Sequence, residues 1–329
     1  MNVSVIVICL NEEKNISECL DSLLKQSYPK DMFEIIIVDG NSNDHTLEII
    51  NNIVNHNKNV RLVLEHKKGA AAGRNAGIQA AQFDHIAFID ADCEAPINWL
   101  KTLVENFKTE KAKDNSIIAV GGSNIPPQKT KNFVKAIGIA MDSYLGSFNS
   151  VQGRKFKEKR YVPSLSNSNA LYEKQKLIEI GFYDETLNSE GEDADINFRL
   201  HKADYKMLYI PNSFVWHKMR PTLKTWLKNM IRYGKGRSRL LKRYPEMWNS
   251  CYLLPILFII TMAITFFSPF SNLFLLPLLY FPVLIAYSLL QCVKSRAIHL
   301  LFPVTLVYLI QHFGYAIGEV YGLLHPKVK

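Results

Sequence analysis

The last quarter of the chain carries three long runs almost without charge: residues 251–267 (CYLLPILFIITMAITFF), 273–293 (LFLLPLLYFPVLIAYSLLQCV) and 298–324. At ~1.5 Å of rise per residue, each crosses or nearly crosses a ~30 Å hydrocarbon layer. A buried helical hairpin would pass the same test. Three runs in succession, however, would need a polar shell that the rest of this chain does not supply. Hydropathy therefore predicts about three membrane helices over 250–329.

The net charge of +9 has a definite location. Between Lys218 and Arg243 there are ten Lys or Arg and no Asp or Glu. Within that stretch Leu223, Trp226, Leu227, Met230 and Ile231 recur at helical spacing, while Lys224, Lys228 and Arg232 take another face. The segment 221–249 reads as a basic amphipathic helix in the headgroup layer, drawn to anionic membrane lipids. Nucleic acid is not expected as a partner, because the same segment adjoins the apolar runs. Basic residues before the first run and in VKSRA (293–297) both indicate the cytoplasmic side, while Pro326, Lys327 and Lys329 run against that trend. Met1 is followed at once by VSVIVICL, without a basic leader or a small-residue cleavage site. An integral protein of the cell membrane with a cytoplasmic catalytic part is the expectation. The five cysteines lack CxxC spacing, as suits reduced thiols rather than a zinc site.

Residues 1–220 have a different pattern. VSVIVICL (3–10), FEIIIVD (33–39), VRLVLEH (60–66) and HIAFID (85–90) are continuous apolar runs, separated by helical patterns such as Ile16, Cys19, Leu20, Leu23 and Leu24. Strands covered on both faces and alternating with helices imply an α/β fold, a mostly parallel sheet with helices on both faces. Such sheets bind ligands beyond the carboxyl ends of their strands. Asn11 and Glu12 follow the first strand, Asp39 ends the second, and Asp90 and Asp92 follow the fourth.

Residues i and i+2 of extended chain point the same way, so Asp90 and Asp92 are expected to present two carboxylates to one spot. Hard oxygen ligands with open positions suit Mg²⁺ or Mn²⁺ that also binds substrate phosphates. The chain has neither GxGxxG after its first strand nor GxxxxGK[ST] anywhere, so metal and side chains must meet the phosphate charge. Lys67, Lys68 and Arg74 in HKKGAAAGRNAG follow the third strand, as phosphate contacts or as solvated loop cations. Asp39 is placed to accept hydrogen bonds from a base or ribose.

VIVICLNEE, IIIVDGNSNDHT, AAAGRNAGI and FIDADC resemble, in order, the motifs of glycosyltransferase family 2, over about residues 1–235. The resemblance implies a GT-A fold and a nucleotide-diphospho-sugar donor, a UDP- or GDP-sugar. It implies that Asp39 contacts the nucleobase, that Asn11 and Glu12 lie against the nucleotide, and that Asp90 and Asp92 hold metal and diphosphate. In NSEGEDADINFRL (188–200), Glu-Asp is similar to the family's acceptor-site motif, whose aspartate is the catalytic base; this points to Asp193. Ser189 and Glu192 also fit a capping box, and Glu192 is carried as a candidate acceptor contact. PSLSNSNALYEK (163–174) looks like the family's sugar-binding stretch, with Ser166 and Ser168 replacing glycines and Asn167 and Asn169 as candidate contacts. Asn229, Arg232 and Tyr233 resemble the QxxRW element of polysaccharide synthases, with two substitutions that argue against processive synthesis. His217, ending IPNSFVWH, is either a metal or diphosphate contact or an ordinary strand-end histidine.

The expected reaction is inverting sugar transfer to a hydroxyl of a glycan on polyprenyl phosphate or diphosphate. A polyprenyl-phosphate sugar synthase, a processive polysaccharide synthase and a silent membrane scaffold are the alternatives. Ionisable His312 and Glu319 in the third run keep a transport role open.

Overall fold

The continuous apolar runs form strands whose two faces feed two separate cores. Val3–Cys9 (β1), Phe33–Asp39 (β2), Val60–Leu64 (β3) and His85–Asp90 (β4) are joined by helices Ile16–Leu24 (α1), Thr46–His56 (α2) and Ala70–Ala80 (α3). Val3, Val5 and Val7 pack with Ile16, Leu20 and Leu23 of α1 on one face, while Ile6 packs with Ala71 and Ile78 of α3 on the other. The computed structural model describes residues 1–147, 150–187, 189–219, 221–248, 254–267 and 269–325. They form two units, residues 1–127 with 150–218, and residues 128–149 with 219–329.

The first unit continues through Cys93–Glu94 (β5), Trp99–Lys113 (α4) and Ile117–Ile125 (β6). Within the second unit's excursion lie Asn132–Met141 (α5) and Tyr144–Ser147 (α6). Back in the first unit come Arg160–Val162 (β7), Ala170–Glu173 (β8), Lys174–Glu179 (α7), Glu192–Lys202 (α8) and Lys206–His217 (β9). The sheet runs β3-β2-β1-β4-β8-β6-β9-β5, with β7 beside β9. The pairs β1–β2, β1–β4, β2–β3 and β6–β9 are parallel, and β8 is antiparallel to both β4 and β6. This is a GT-A-like mixed sheet flanked by helices. The carboxyl ends of β1, β2 and β4 share one edge, where Cys9 pairs with Asp39 and the adjacent Ile8 with Asp90.

Helix α3 lies unusually near β1. A Cβ added to Gly77 would come 2.5 Å from Ile6 Cγ2. Glycine on that face lets the helix approach, and its next turn carries Arg74 into the protein, where it is 4% exposed.

The second unit holds α5 and α6 together with Leu223–Arg243 (α9), Leu254–Ile264 (α10), Tyr280–Lys294 (α11) and Leu301–Leu324 (α12). The sequence pattern places 128–149 inside the catalytic part, within residues 1–220. Instead Val134, Ile137 and Ala140 of α5 share a core with Trp226, Met230, Val304 and Val307. Among the described residues two helices are long and apolar enough to cross a membrane, Asn272–Lys294 and Ile298–Leu324. The expectation was about three. Among the described residues the first run yields only the 11-residue α10 and a 3₁₀ turn at Thr265–Phe267. Pro326, Lys327 and Lys329 lie outside the described residues.

Helix α9 has the amphipathic pattern read from the sequence, but protein covers much of its apolar face. Trp226 and Met230 are buried, while Leu223 and Leu227 are 44% and 37% exposed. Glycines let α12 approach: a Cβ on Gly318 would meet Ile231 O at 2.1 Å, and one on Gly234 would meet Tyr315 O at 2.2 Å. The polar residues of α12 serve packing. His312 Nε2 contacts Leu145 O at 3.1 Å and its Nδ1 meets Tyr280 OH at 2.7 Å. Gln311 Nε2 donates to Gly146 O at 3.1 Å, and Tyr308 OH bonds Ser143 Oγ at 2.7 Å. Together these side chains bind the α5–α6 turn, a structural use for residues that otherwise suggested transport. Glu319 is buried with Arg237 of α9 as its charged neighbour.

Candidate active site

At the carboxyl edge, two loops lock each other. Asn11 takes a left-handed backbone (φ 56°) that turns the chain sharply after β1, a conformation asparagine tolerates better than most residues. Its N–H donates to Ser42 Oγ at 2.9 Å, and its Oδ1 accepts from Asn43 N at 2.8 Å. Glu12 N donates to Thr46 Oγ1 at 2.8 Å. Asp39 is fully buried and organises the second loop: Oδ1 accepts from Asn41 N (3.0 Å) and Ser42 N (2.9 Å), and Oδ2 from Ser42 Oγ (2.5 Å). Asn11, Glu12 and Asp39 thus share one corner, with Ser42 as the link between the loops. Ser42 was missed because a serine in a loop carries no signal of its own.

The aspartate pair divides its partners. Ala91 and Asp92 form a turn, so the extended-chain argument fails at this point. Asp90 Oδ1 faces Arg74 Nη2 at 3.3 Å, and its Oδ2 accepts from Ser168 Oγ. Asp92 Oδ2 lies 3.3 Å from His217 Nε2 instead. Antiparallel pairing of β5 with β9 places Cys93 opposite His217, and Lys218 N donates to Asp92 O at 2.9 Å, which fixes that approach. Among the described residues, Asp92, Cys93 and His217 offer possible ligand atoms within 4.8 Å of one another. Burial pushes the Cys93 thiol well above its ordinary pKa, so it is packed into the core as a thiol. One carboxylate and one imidazole form a donor set that fits Mn²⁺, and Mg²⁺ less well.

Arg74 stands at the centre of the second cluster. Its Nη1 lies 2.8 Å from Glu192 Oε1 and 3.1 Å from Asp193 Oδ1, and its Nη2 reaches Asp90. The guanidinium carbon is 5.7 Å from the Tyr183 ring centroid, so an aromatic face lies against the cation. Asn167 completes the group: its Nδ2 donates to Asp193 Oδ1 at 2.6 Å, and its backbone N–H lies 3.4 Å from Oδ2. Glu192 and Asp193 open α8 after Gly191, whose left-handed φ of 96° turns the chain into the helix. The predicted capping box does not form, because the helix begins at Glu192 with Gly191 as its N-cap; Ser189 Oγ accepts from Ala70 N at 3.1 Å. Burial raises the Glu192 and Asp193 carboxyls above the ordinary carboxylate range. Their mutual repulsion adds to the Glu192 shift, while Arg74 opposes both.

The remaining candidates lie elsewhere. Asn169 is structural: its Oδ1 accepts from Trp99 Nε1 at 2.8 Å and Ser213 Oγ at 3.0 Å, and its Nδ2 donates to Ser123 O. Arg232 and Tyr233 belong to the second unit, where Arg232 Nη2 donates to Asn229 Oδ1 at 2.7 Å and its guanidinium lies over the Tyr233 ring. Lys67 pairs with Glu185 at 3.0 Å on the surface. Ser168, passed over as a glycine replacement, is the residue that fixes Asp90.

The edge thus collects a possible pair of cation ligands and, beside Asp90, a carboxylate of raised proton affinity. Comparison with known proteins identifies the family. The sequence model described as Glycosyl transferase family 2 matches residues 4–181. The dolichyl N-acetyl-alpha-D-glucosaminyl phosphate 3-beta-D-2,3-diacetamido-2,3-dideoxy-beta-D-glucuronosyltransferase of Methanococcus voltae is 27% identical over 262 residues, 78% of each chain. Poly-beta-1,6-N-acetyl-D-glucosamine synthase of Staphylococcus aureus is 27% identical over 241 residues, 73% of this chain and 56% of the synthase. The mannosyltransferase PcManGT of Pyrobaculum calidifontis, solved with GDP-Man and Mn²⁺, superimposes with a TM-score of 0.62 at 18% identity, covering 98% of this chain and 87% of that one.

Proposed function

The chain belongs to glycosyltransferase family 2, and from that premise we propose that it transfers a sugar from a nucleotide-diphospho-sugar to a hydroxyl of a lipid-linked glycan, with inversion at the anomeric carbon. The observation that carries this reading is Asp193, held by Arg74 within one guanidinium of the donor-side Asp90. A hydroxyl is a weak nucleophile at neutral pH, and a carboxylate of raised proton affinity is suited to take its proton as it attacks. Single displacement needs base and leaving group on opposite sides of the sugar, and it inverts the attacked carbon.

Each residue then has a role. The Asn11–Glu12 and Asp39–Ser42 loops receive the nucleotide, with Asp39 shaping its loop. Asp90, fixed by Ser168 and Arg74, bounds the donor sugar. Asp92 and His217 would hold a divalent cation, Mn²⁺ or Mg²⁺, which when bound offsets the charge growing on the departing nucleoside diphosphate. The Mn²⁺ in the mannosyltransferase structure supports the first of these.

The lipid-linked acceptor has separate support. The Methanococcus relative acts on a dolichyl-linked sugar phosphate, and this chain carries two helices of membrane-crossing length beside a strongly basic one. The second unit would anchor the enzyme at the cytoplasmic face of the cell membrane, its cations drawn to anionic headgroups. A polyprenyl-phosphate sugar synthase is the second reading. A phosphate nucleophile is already ionised at pH 7 and needs no base, so a carboxylate of raised proton affinity at Asp193 weighs against it. The test is transfer by the purified Asp193→Asn protein: loss supports a hydroxyl acceptor, and full retention supports phosphate.

A further inference from the structure

Asp193 has two carboxylate oxygens, and the protein treats them differently. Oδ1 is claimed twice, by Arg74 Nη1 at 3.1 Å and by Asn167 Nδ2 at 2.6 Å. Among the described residues Oδ2 has the long 3.4 Å approach of the Asn167 backbone N–H and no other partner, and the Asp193 side chain is 34% exposed. Arg74 is 5% exposed and boxed between Tyr183, Glu192 and Asp90, so its fork cannot swing away to follow a ligand. Asn167 is fully buried. Arg74, by sequence a phosphate contact or a solvated cation, and Asn167, by sequence a candidate sugar contact, both lie against Asp193.

We infer that Arg74 and Asn167 are positioning residues that together occupy Asp193 Oδ1, leaving Oδ2 as the one oxygen presented to the acceptor's proton. The inference rests on the assignment of Asp193 as base. Arg74 adds a second constraint, because the planar guanidinium that holds Asp193 through Nη1 holds Asp90 through Nη2. The acceptor-side carboxylate and the donor-side carboxylate are thereby spaced by one rigid group. A lysine ammonium is a point charge and cannot hold two carboxylates in a fixed fork.

The experiment compares the full-length protein in detergent with its Arg74→Lys and Asn167→Ala variants, using a UDP- or GDP-linked sugar that the wild type accepts. A displaced base slows the proton transfer without weakening donor binding, and misplacement of about 1 Å costs on the order of 100-fold. Each variant should lose about 10- to 100-fold in kcat with donor KM and Mn²⁺ affinity within twofold of wild type. The double variant should lose less than the product of the two, because both groups act on one oxygen. A donor KM that rises in step with the loss of kcat would make Arg74 a donor contact and overturn the inference, as would an unchanged kcat. If Arg74→Lys does not fold, Asn167→Ala, which keeps the cation in place, decides alone. Asp193→Asn separates the two levels of the argument. Its full activity removes the base itself, whereas its inactivity beside two silent positioning variants removes only the roles of Arg74 and Asn167.

Discussion

Replacing Asp193 with asparagine should abolish most transfer while leaving the fold intact, and the structure indicates how large each effect is. The amide oxygen of asparagine can keep the Asn167 hydrogen bond at 2.6 Å and stay within 3.1 Å of Arg74 Nη1, whose own hydrogen bond goes to Glu192. The new amide nitrogen would face the Asn167 backbone N–H at the present 3.4 Å, a contact too long to cost much. Removing one of three carboxylates that share a single guanidinium also relieves like-charge repulsion, so the melting temperature should hold or rise. General-base catalysis typically contributes about 10²- to 10⁴-fold, or about 3–5 kcal/mol of barrier. The assay is product formation by purified protein at saturating donor, with a thermal melt and a donor-binding titration on the same preparation. The expected result is a fall in kcat of that size with unchanged melting and donor affinity. Transfer within threefold of wild type, or a loss matched by unfolding, would refute the assignment.

Asp92→Asn or His217→Ala should weaken Mn²⁺ binding by at least about tenfold, read by electron paramagnetic resonance of the free ion, since each removes half of the protein's donor set. The pH profile of kcat/KM should have an acid limb above the ordinary aspartate value of ~3.9, because burial raises Asp193 and only its unprotonated form accepts a proton; activity is lost as pH falls through that limb. Asp193→Asn should abolish the limb, and a limb at or below ~4 would contradict the assigned environment. Gly318→Ala should destabilise the second unit by about 1–3 kcal/mol despite alanine's better helix propensity, because its Cβ would press on Ile231 O; protease resistance of α9 and α12 measures it.

Much of this architecture was legible because burial on both faces leaves a plain mark. The runs at Val3–Cys9 and Phe33–Asp39 contain almost nothing but apolar residues, and they became interior strands of the sheet. The edge that collects Asn11, Asp39 and Asp90 followed from strand alternation alone. Other features depend on contacts between distant residues. Arg74 and Glu192 are 118 positions apart, and no local pattern tells a guanidinium that meets phosphate from one that clamps carboxylates. Asp90 and Asp92 part company because a turn begins at Ala91, inside a motif that reads as extended chain. His217 reads in the sequence as either a metal contact or an ordinary strand end, and the pairing of β5 with β9 is what brings it to Asp92. The 128–149 excursion gave little warning, since an apolar ten-residue helix such as α5 suits the core of either unit.

The most direct test of the whole account is to offer the purified protein labelled UDP- and GDP-sugars with Mn²⁺ and an extracted fraction of membrane lipids, then to measure where the label goes. One donor should deliver its sugar to the organic phase in a metal-dependent reaction, adding a single residue to a lipid-linked glycan. Label that remains in water as free sugar, or that accumulates as long polymer, would contradict it.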